Sequence, residues 1–185
     1  MSAAFSASQL QPWLAALRTG HIAAAPAEGV YGYVADPFNP AALELLLAAK
    51  QRSAEKGFIL LIQSVSQLEQ LCPTLTERDL AAIDVCWQPF QPPITLILPA
   101  LATLPPLLTG NRPTIAVRLA KAPYMQQYLQ AAATPLVSTS LNISGEPAAI
   151  SASQIPAGIP ALTLPHKLSG VPSRIFNPHT NQWLR

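Results

Sequence analysis

The sequence predicts an α/β protein that forms a single domain. Segments with helical periodicity alternate with short apolar segments rich in β-branched residues, an order typical of helices packed on a sheet. One of the apolar segments, residues 58–63, is the kind of strand that is buried on both faces. No repeat, low-complexity tract or linker divides the 185 residues. Residues 1–185 are therefore interpreted as one domain.

The individual helices and strands follow from periodicity, caps and prolines. In residues 10–17 the apolar positions recur at i, i+3, i+4 and i+7, and Gly20 then ends the helix. A second helix begins at Asn39-Pro40, a favourable cap and first position, and runs to Lys50. Further helices are predicted to begin at Ser66, Thr76 and Pro123. Strands are predicted at residues 21–26, 58–63, 94–99, 114–119 and 135–138, with edge strands at 162–164 and a terminal hairpin within 175–184.

The charge and hydropathy of the chain limit the kinds of ligand and cellular location that we expect. Charged residues make up only 11% of the chain, and the formal net charge is +2. Without a Lys/Arg run, this charge fits a small anionic ligand as well as RNA. The sequence begins without a basic segment and long apolar stretch, and no apolar run reaches the ~18 residues that a membrane span requires. We expect a cytoplasmic protein without membrane contact, in which Cys72 and Cys86 are reduced.

Common nucleotide and metal fingerprints are not found in the sequence. It contains neither a Gly-x-x-x-x-Gly-Lys-Ser/Thr phosphate loop nor a Gly-x-Gly-x-x-Gly turn. The three histidines, His21, His166 and His179, lie far apart and show no metal-ligand spacing. No protein-held metal is predicted.

A cluster of cations, Lys50, Arg52 and Lys56, lies where the second helix ends. Cations at a helix C-terminus complement the helix dipole, which is worth roughly 0.3–1 kcal/mol. The same cluster suits a phosphate clamp in which a point-charge Lys stands beside a fork-shaped Arg. The residues alone leave both interpretations open.

Polar groups also occur in or after two apolar strands. An unpaired buried Arg is too costly to persist, so Arg118 must meet a protein carboxylate or a ligand anion. Ser138, Ser140 and Asn142 alternate, and an extended backbone would direct them to one side. At a sheet edge they suit phosphate and ribose oxygens. The alternative is a turn whose hydroxyls satisfy the backbone.

Six segments, taken together and in order, resemble the YrdC/Sua5 family of threonylcarbamoyl-AMP synthases in its short, single-domain bacterial form. Any one of the segments alone would be a weak signal. They are PAEGVYG (26–32), KQRSAEKGFILLI (50–62), QPPITLIL (91–98), IAVRL (115–119), PLVSTSLNISGEP (135–147) and VPSRI (171–175).

The resemblance implies a fold and a reaction. The fold is an open, twisted, mixed sheet flanked by helices, with a concave positive groove. In the reaction, L-threonine, bicarbonate or CO2, and ATP give threonylcarbamoyl-adenylate and diphosphate, for the t6A modification of adenosine 37 in tRNA. Mg2+ would accompany ATP, and a separate threonylcarbamoyl-transferase complex would take up the product. A weak contact with tRNA or other RNA is also expected.

The resemblance further assigns roles to individual residues. Lys50 and Arg52 are expected to be catalytic and to bind the triphosphate. Ser138, Ser140 and Asn142 should line the ATP pocket, with Ser173 closing over it. Arg118, Ala27 and Glu28 are expected at the site for threonine or another anion.

Some positions depart from the family pattern. Ala27 stands where the family has Thr, which removes one hydroxyl near the expected threonine site. Pro92, Leu141 and Arg174 also differ, which leaves room for an altered amino-acid preference. Two alternative functions therefore stay open. One is a non-catalytic module of the same fold that binds double-stranded RNA or tRNA, and the other is a carbamoyl-adenylate-forming enzyme with a different amine substrate.

Overall fold

One eight-stranded mixed β-sheet organises the protein, as seen in a computed structural model that describes residues 4–143 and 145–185. The strands are β1 (Ala23–Pro26), β2 (Tyr31–Ala35), β3 (Ile59–Ile62), β4 (Ile94–Pro99), β5 (Thr114–Leu119), β6 (Leu136–Ser140), β7 (Arg174–Asn177) and β8 (Gln182–Trp183). Their order across the sheet is β1-β2-β6-β3-β5-β4-β7-β8. The β3–β5 and β4–β7 pairs are parallel, and the other neighbours are antiparallel. The predicted α/β fold with a mixed sheet is confirmed.

Helices flank this sheet, and those predicted to begin at Asn39-Pro40, Thr76 and Pro123 do so. They are α1 (Ala7–Arg18), α2 (Pro40–Lys50), α3 (Glu77–Cys86), α4 (Pro106–Thr109) and α5 (Pro123–Ala132), with 3₁₀ turns at Ala54–Lys56, Val65–Gln70 and Ala152–Gln154. The Asn39 side chain accepts a hydrogen bond from the Ala42 amide at 3.3 Å and thereby caps α2. No helix of the described residues is both long and apolar enough to cross a membrane.

The core lies between the sheet and the helices. Trp13 of α1 is fully buried, and its indole N–H donates to the Ala24 carbonyl at 3.0 Å. The same ring packs on Tyr128 of α5 at a centroid distance of 5.5 Å. These contacts fix α1 and α5 on one side of the sheet. The rings bury apolar surface against each other, and the indole hydrogen bond sets the orientation of Trp13. Cys72 and Cys86 are buried free thiols.

Four elements differ from the sequence-based prediction, and one of them is the short helix α4, which was not among the predicted helices. β2 was not among the predicted strands, because it is buried along its whole length and so shows no alternation of apolar and polar residues. The short helix expected to begin at Ser66 is a 3₁₀ turn whose cap is Ser64. The edge strand expected at residues 162–164 is reduced to one isolated bridge, between Ala24 and Ala161.

The strand register creates one continuous face for a site. Ser138 on β6 lies beside Ile59 on β3, Ile59 lies beside Ala116 on β5, and Ala116 lies beside Ile97 on β4. Residues directly opposite one another on paired strands share a face of the sheet. All four line the same cavity.

Candidate active site

A cavity of about 640 Å³ lies against this face. The segment at residues 168–173, here named the strap, forms one of its walls. The strap is attached to the loop before β2, since the Gly170 amide donates to the Gly29 carbonyl at 2.8 Å. A Cβ at position 29 would lie 1.7 Å from the Val171 carbonyl oxygen, so only glycine fits there.

Lys50 organises the loop that follows β6. Its ammonium donates to backbone and side-chain oxygens of both Ser140 and Asn142, with contacts of 2.8 Å to the Asn142 carbonyl and 3.2 Å to the Ser140 hydroxyl. Only 3% of Lys50 is exposed, and it lies behind the cavity wall that Ser140 and Asn142 form. Burial, followed by the nearby Arg52, lowers the pKa of Lys50 from 10.5 to about 8. The buried ammonium thus holds in place the loop that reaches the cavity.

Arg52 faces the cavity itself. The left-handed cap at Gln51 ends α2, and the chain then turns towards β3. The Arg52 guanidinium donates to the Gly57 carbonyl at 2.6 Å and lies 5.4 Å from the centre of the Phe58 ring. Its Nε is buried, with no hydrogen-bond partner among the described residues. A guanidinium held by one backbone oxygen and a ring keeps most of its donors for a ligand.

Two more cations stand beside Arg52. Lys56 belongs to the cluster noted in the sequence, whereas Arg112 was missed because it follows an ordinary Gly-Asn turn outside every motif. Arg112 donates to the Lys56 carbonyl at 2.7 Å and to the Thr109 carbonyl at 3.3 Å. Both residues line the cavity.

Arg118 marks the other end of the cavity, and its partner is a protein carboxylate. The guanidinium lies 3.2 Å from the Glu28 carboxylate, and the two side chains are 8% and 15% exposed. Next to this pair, the Tyr124 hydroxyl donates to the Ala27 carbonyl at 3.0 Å. Burial, with Glu28 as the next cause, raises the pKa of Tyr124 to about 12. Tyr124 therefore remains a neutral donor that fixes the Ala27 backbone.

Ser173 lies in the strap and, like Arg118, lines the cavity. Its hydroxyl is 3.0 Å from the Thr95 hydroxyl, and its carbonyl accepts from the Arg185 side chain at 2.9 Å. Arg185 also lines the cavity and was missed, because a single Arg beside the edge strand β8 carries no pattern. Burial and the charge of Arg118 lower the pKa of Arg185.

The structure brings the predicted site residues together. Seven of them line the cavity: Ala27, Arg52, Arg118, Ser138, Ser140, Asn142 and Ser173. The other two, Lys50 and Glu28, lie behind the wall and contact residues that form it. Among the residues at 4–143 and 145–185, no group of three or more His, Cys, Asp or Glu side chains is placed to hold a metal ion.

The cavity has a cationic end, a hydroxyl and amide rim, and an end where an arginine is paired. Thr114 and Arg118 lie near opposite ends of β5, and four strand steps span about 13 Å. An elongated ligand with a polyanionic tail fits such an arrangement. The fold and the site together define a nucleotide-binding protein of the α/β class.

Comparison with known proteins identifies the family of the chain. A family model described as "Telomere recombination", which covers Sua5, YciO and YrdC proteins, matches residues 15–184. A threonylcarbamoyl-AMP synthase of Hydrogenovibrio crunogenus is 36% identical over 169 residues, 90% of this chain and 91% of its own length. The chain belongs to the Sua5/YciO/YrdC family.

Solved structures agree with this assignment. P. abyssi Sua5 complexed with L-threonine matches with a TM-score of 0.80 and 28% identity, covering 91% of this chain. The chain spans about half of that protein, since the match covers 50% of it. E. coli YciO, at 20% identity and a TM-score of 0.75 over 92% of this chain and 83% of its own, shares the fold.

Proposed function

We propose that this chain is a threonylcarbamoyl-AMP synthase. The observation that carries the proposal is the direct contact between Lys50, which precedes Arg52, and the Ser140–Asn142 rim at one cavity. Cations and hydroxyls that lie far apart in the sequence thereby surround one space of nucleotide size. The prediction of an adenylate-forming enzyme is confirmed at the level of the family, because its curated relatives are threonylcarbamoyl-AMP synthases.

The reaction requires little acid–base chemistry from the protein. The threonine amine attacks CO2, and loss of a proton gives a carbamate. A carbamate oxygen then attacks the α-phosphorus of ATP, the bond from that phosphorus to the bridging oxygen breaks, and diphosphate leaves. Catalysis of such a transfer consists mainly of alignment and of neutralising charge on the phosphates.

Each part of the cavity suits one part of this reaction. Arg52 donates to the phosphates, while Lys50 holds Ser140 and Asn142 where their polar atoms meet the nucleotide. Ser138 extends the rim, and Ser173 in the strap helps to shield the mixed anhydride from water. At the other end, the carboxylate of threonine competes with Glu28 for Arg118, beside Ala27. Mg2+ enters with ATP as part of the substrate.

The downstream step and its setting are part of the same proposal. The adenylate passes to a separate transferase complex that modifies adenosine 37 of tRNA, in the cytoplasm, with residues 1–185 acting as one domain. A weak contact between this chain and RNA is compatible with this scheme, although no contact of the described residues identifies a surface for it.

Diphosphate release tests the proposal. Release should require ATP, bicarbonate and an amino acid together, and threonine should support it better than any other amino acid assayed in turn. Omitting bicarbonate should abolish it. Release supported better by another amine than by threonine would favour the alternative enzyme with a different amine substrate. A melting temperature raised by tRNA but not by ATP with threonine would favour the RNA-binding module.

A further inference from the structure

Strands β7 and β8 form a hairpin at one outer edge of the sheet. The hairpin comprises residues 174–185, and β8 pairs with β7 alone among the described strands. The pairing continues past β8, because the Leu184 amide donates to the Ile175 carbonyl at 2.8 Å and the Ile175 amide donates to the Arg185 carbonyl at 3.0 Å. A two-stranded hairpin is marginally stable by itself, so its position depends on contacts with other elements.

The hairpin supplies one charged group to the cavity. Arg185 lines the cavity, and its Nε donates to the Ser173 carbonyl at 2.9 Å. Its Nη2 lies 3.4 Å from the Ser173 hydroxyl. Among the described residues, Arg185 has no ion-pair partner within 4.0 Å, so its charge is available to an anionic ligand. Because Arg185 pairs with β7 through its backbone, the place of its guanidinium depends on where the hairpin lies.

The turn of the hairpin rests on the first turn of α3. The Asn177 side chain accepts from the amides of His179 and Thr180, at 3.0 and 3.4 Å, and thereby shapes this turn. The His179 imidazole then lies 3.1 Å from the Asp79 carboxylate, between Nε2 and Oδ1. The Arg78 guanidinium donates to the His179 carbonyl at 3.2 Å. Two neighbouring residues of α3 thus hold one residue of the turn, by its side chain and by its backbone.

Asp79 is a fully buried carboxylate that needs this partner. Its Oδ2 accepts from the Thr76 amide at 2.9 Å and from the Thr76 hydroxyl at 2.6 Å. Its Oδ1 is buried without an aligned hydrogen-bond donor among the described residues, and the His179 imidazole is the group that meets it. Because a buried carboxylate is costly without a counter-charge, a protonated His179 stabilises this contact. The position of the turn is therefore coupled to the charge of Asp79.

The helix that carries Asp79 is a fixed support. Trp87 caps the end of α3, and its indole N–H donates to the Ile94 carbonyl of β4 at 3.0 Å. β4 also pairs with β7, so α3 and the hairpin are joined to the same strand. The contact of His179 with Asp79 closes this arrangement at the far end of the hairpin. Without it, the turn and β8 are held to the sheet through β7.

We propose that His179 is a positioning residue, whose contact with Asp79 fixes the hairpin and thereby holds the Arg185 guanidinium at the cavity. His179 does not line the cavity, so its effect on ligand binding passes through the backbone of the hairpin. The inference rests on the proposed function only for the identity of the ligands, ATP and threonine. It adds a residue outside the motifs that suggested the family and outside the cavity itself.

Calorimetry on the full chain in bicarbonate-free buffer, where no turnover occurs, tests the inference. ATP and threonine are titrated separately. Arg185→Ala should weaken at least one of the two ligands about tenfold, and His179→Ala should weaken the same ligand about three- to fivefold. A variant with both changes should bind that ligand within about twofold of Arg185→Ala alone, because His179 acts through Arg185.

Two further variants serve as controls. His179→Gln keeps an N–H group within reach of Asp79, and it should bind within about twofold of the unmodified chain. His21→Ala removes an exposed histidine that precedes β1, at the opposite edge of the sheet, and should leave both affinities unchanged.

The outcomes separate this inference from the proposed function. Losses that multiply in the combined variant, or equal losses in His179→Gln and His179→Ala, would overturn the positioning role. So would an unchanged affinity in either Arg185→Ala or His179→Ala. If His179→Ala fails to fold, Arg78→Ala removes the other contact with the turn and should likewise add nothing to Arg185→Ala. The expected pattern in a chain that makes no threonylcarbamoyl-adenylate would support the positioning role and refute only the activity.

Discussion

Arginines stand at both ends of the cavity, but the two ends hold them by different means. At the cationic end, backbone carbonyls hold Arg52 and Arg112, which keeps their full charge available. At the other end, Arg118 is paired with Glu28, so a ligand anion must replace a carboxylate that is already there. Arg112 lies just before β5 and Arg118 lies within it, so the two kinds of arginine are six residues apart in the chain.

The difference indicates what each end is built to bind. A carbonyl partner orients a cation and leaves the net charge of that end positive, which suits a polyphosphate that arrives with several negative charges. A carboxylate partner neutralises Arg118 itself until exchange occurs, which suits a ligand with one carboxylate and one amine. We therefore expect the cavity to sort its substrates by charge along the direction of β5.

The largest expected effect lies at the cationic end. Arg52→Ala should lower diphosphate release about 10²–10³-fold, the usual result of removing one donor to a charged transition state. The affinity for threonine, measured separately by calorimetry, should change less than about twofold, because Arg118 lies at the other end. Turnover near that of the unmodified chain would show that the two ends are not distinct in this way.

Removal of the Lys50 ammonium should lower activity about 10²-fold through misplacement of the rim. Lys50→Ala leaves oxygens of Ser140 and Asn142 without their donor, so the free energy of unfolding should also fall by about 1–3 kcal/mol. Chemical denaturation measures the second effect. Lys50→Met keeps the apolar stem, and it should lose activity to the same degree. A fully active Lys50→Met variant would contradict a role for the ammonium in holding the loop.

Position 27 tests the end that is proposed to bind threonine. Ala27→Thr should improve threonine affinity about 2–10-fold, since one neutral hydrogen bond contributes about 0.5–1.5 kcal/mol. Ala27→Val, which has the same shape without the hydroxyl, is the matched control. ATP affinity should stay constant in both variants. Equal threonine affinities in the Thr and Val variants would mean that no contact is missing at this position.

The smallest effect is a pH dependence that runs in opposite directions for stability and for ATP binding. The pKa of Lys50 is about 8 when folded, below its ordinary value of 10.5. Between these values the unfolded chain binds more protons, so the contribution of this group to the free energy of unfolding rises with pH. A neutral amine has fewer hydrogens to donate, so ATP affinity should fall severalfold over the same range.

Titration calorimetry at pH 7.5 and 9.5 measures the decline in ATP affinity without interference from the bicarbonate equilibrium. Lys50→Met has no proton to lose at this position and should show no inflection near pH 8. An equal decline in Lys50→Met would assign the pH dependence to another group.

The sequence predicted much of the site because several chemical signals coincide with element ends. Lys50 and Arg52 end a helix whose start is marked by Asn39-Pro40, and Ser138 to Asn142 follow an apolar strand. Because burying an unpaired charge is costly, the sequence predicted that Arg118 has a partner. That the partner is Glu28 depends on how residues before β2 meet β5, which the residues alone did not decide.

What the sequence did not predict depends on contacts between distant segments. That Lys50 binds the triphosphate stays a prediction, and the residues alone did not indicate that its ammonium contacts the Ser140–Asn142 rim. Arg112 belongs to a turn with no periodicity, and it is brought near Arg52 by the close approach of Gly110 to Gly57 and by its hydrogen bond to the Lys56 carbonyl. β2 escaped prediction because full burial erased its alternating pattern.

The contact between Gly29 and the strap has a consequence for the order in which the site is completed. The strap forms late in the sequence, yet it rests directly on a loop that precedes β2. A chain that leaves the ribosome amino end first therefore has most of its strands before this wall is present. Until the strap is in place, the nucleotide face stays open to water, so we expect a nascent chain to be a poor enzyme even when its sheet has formed.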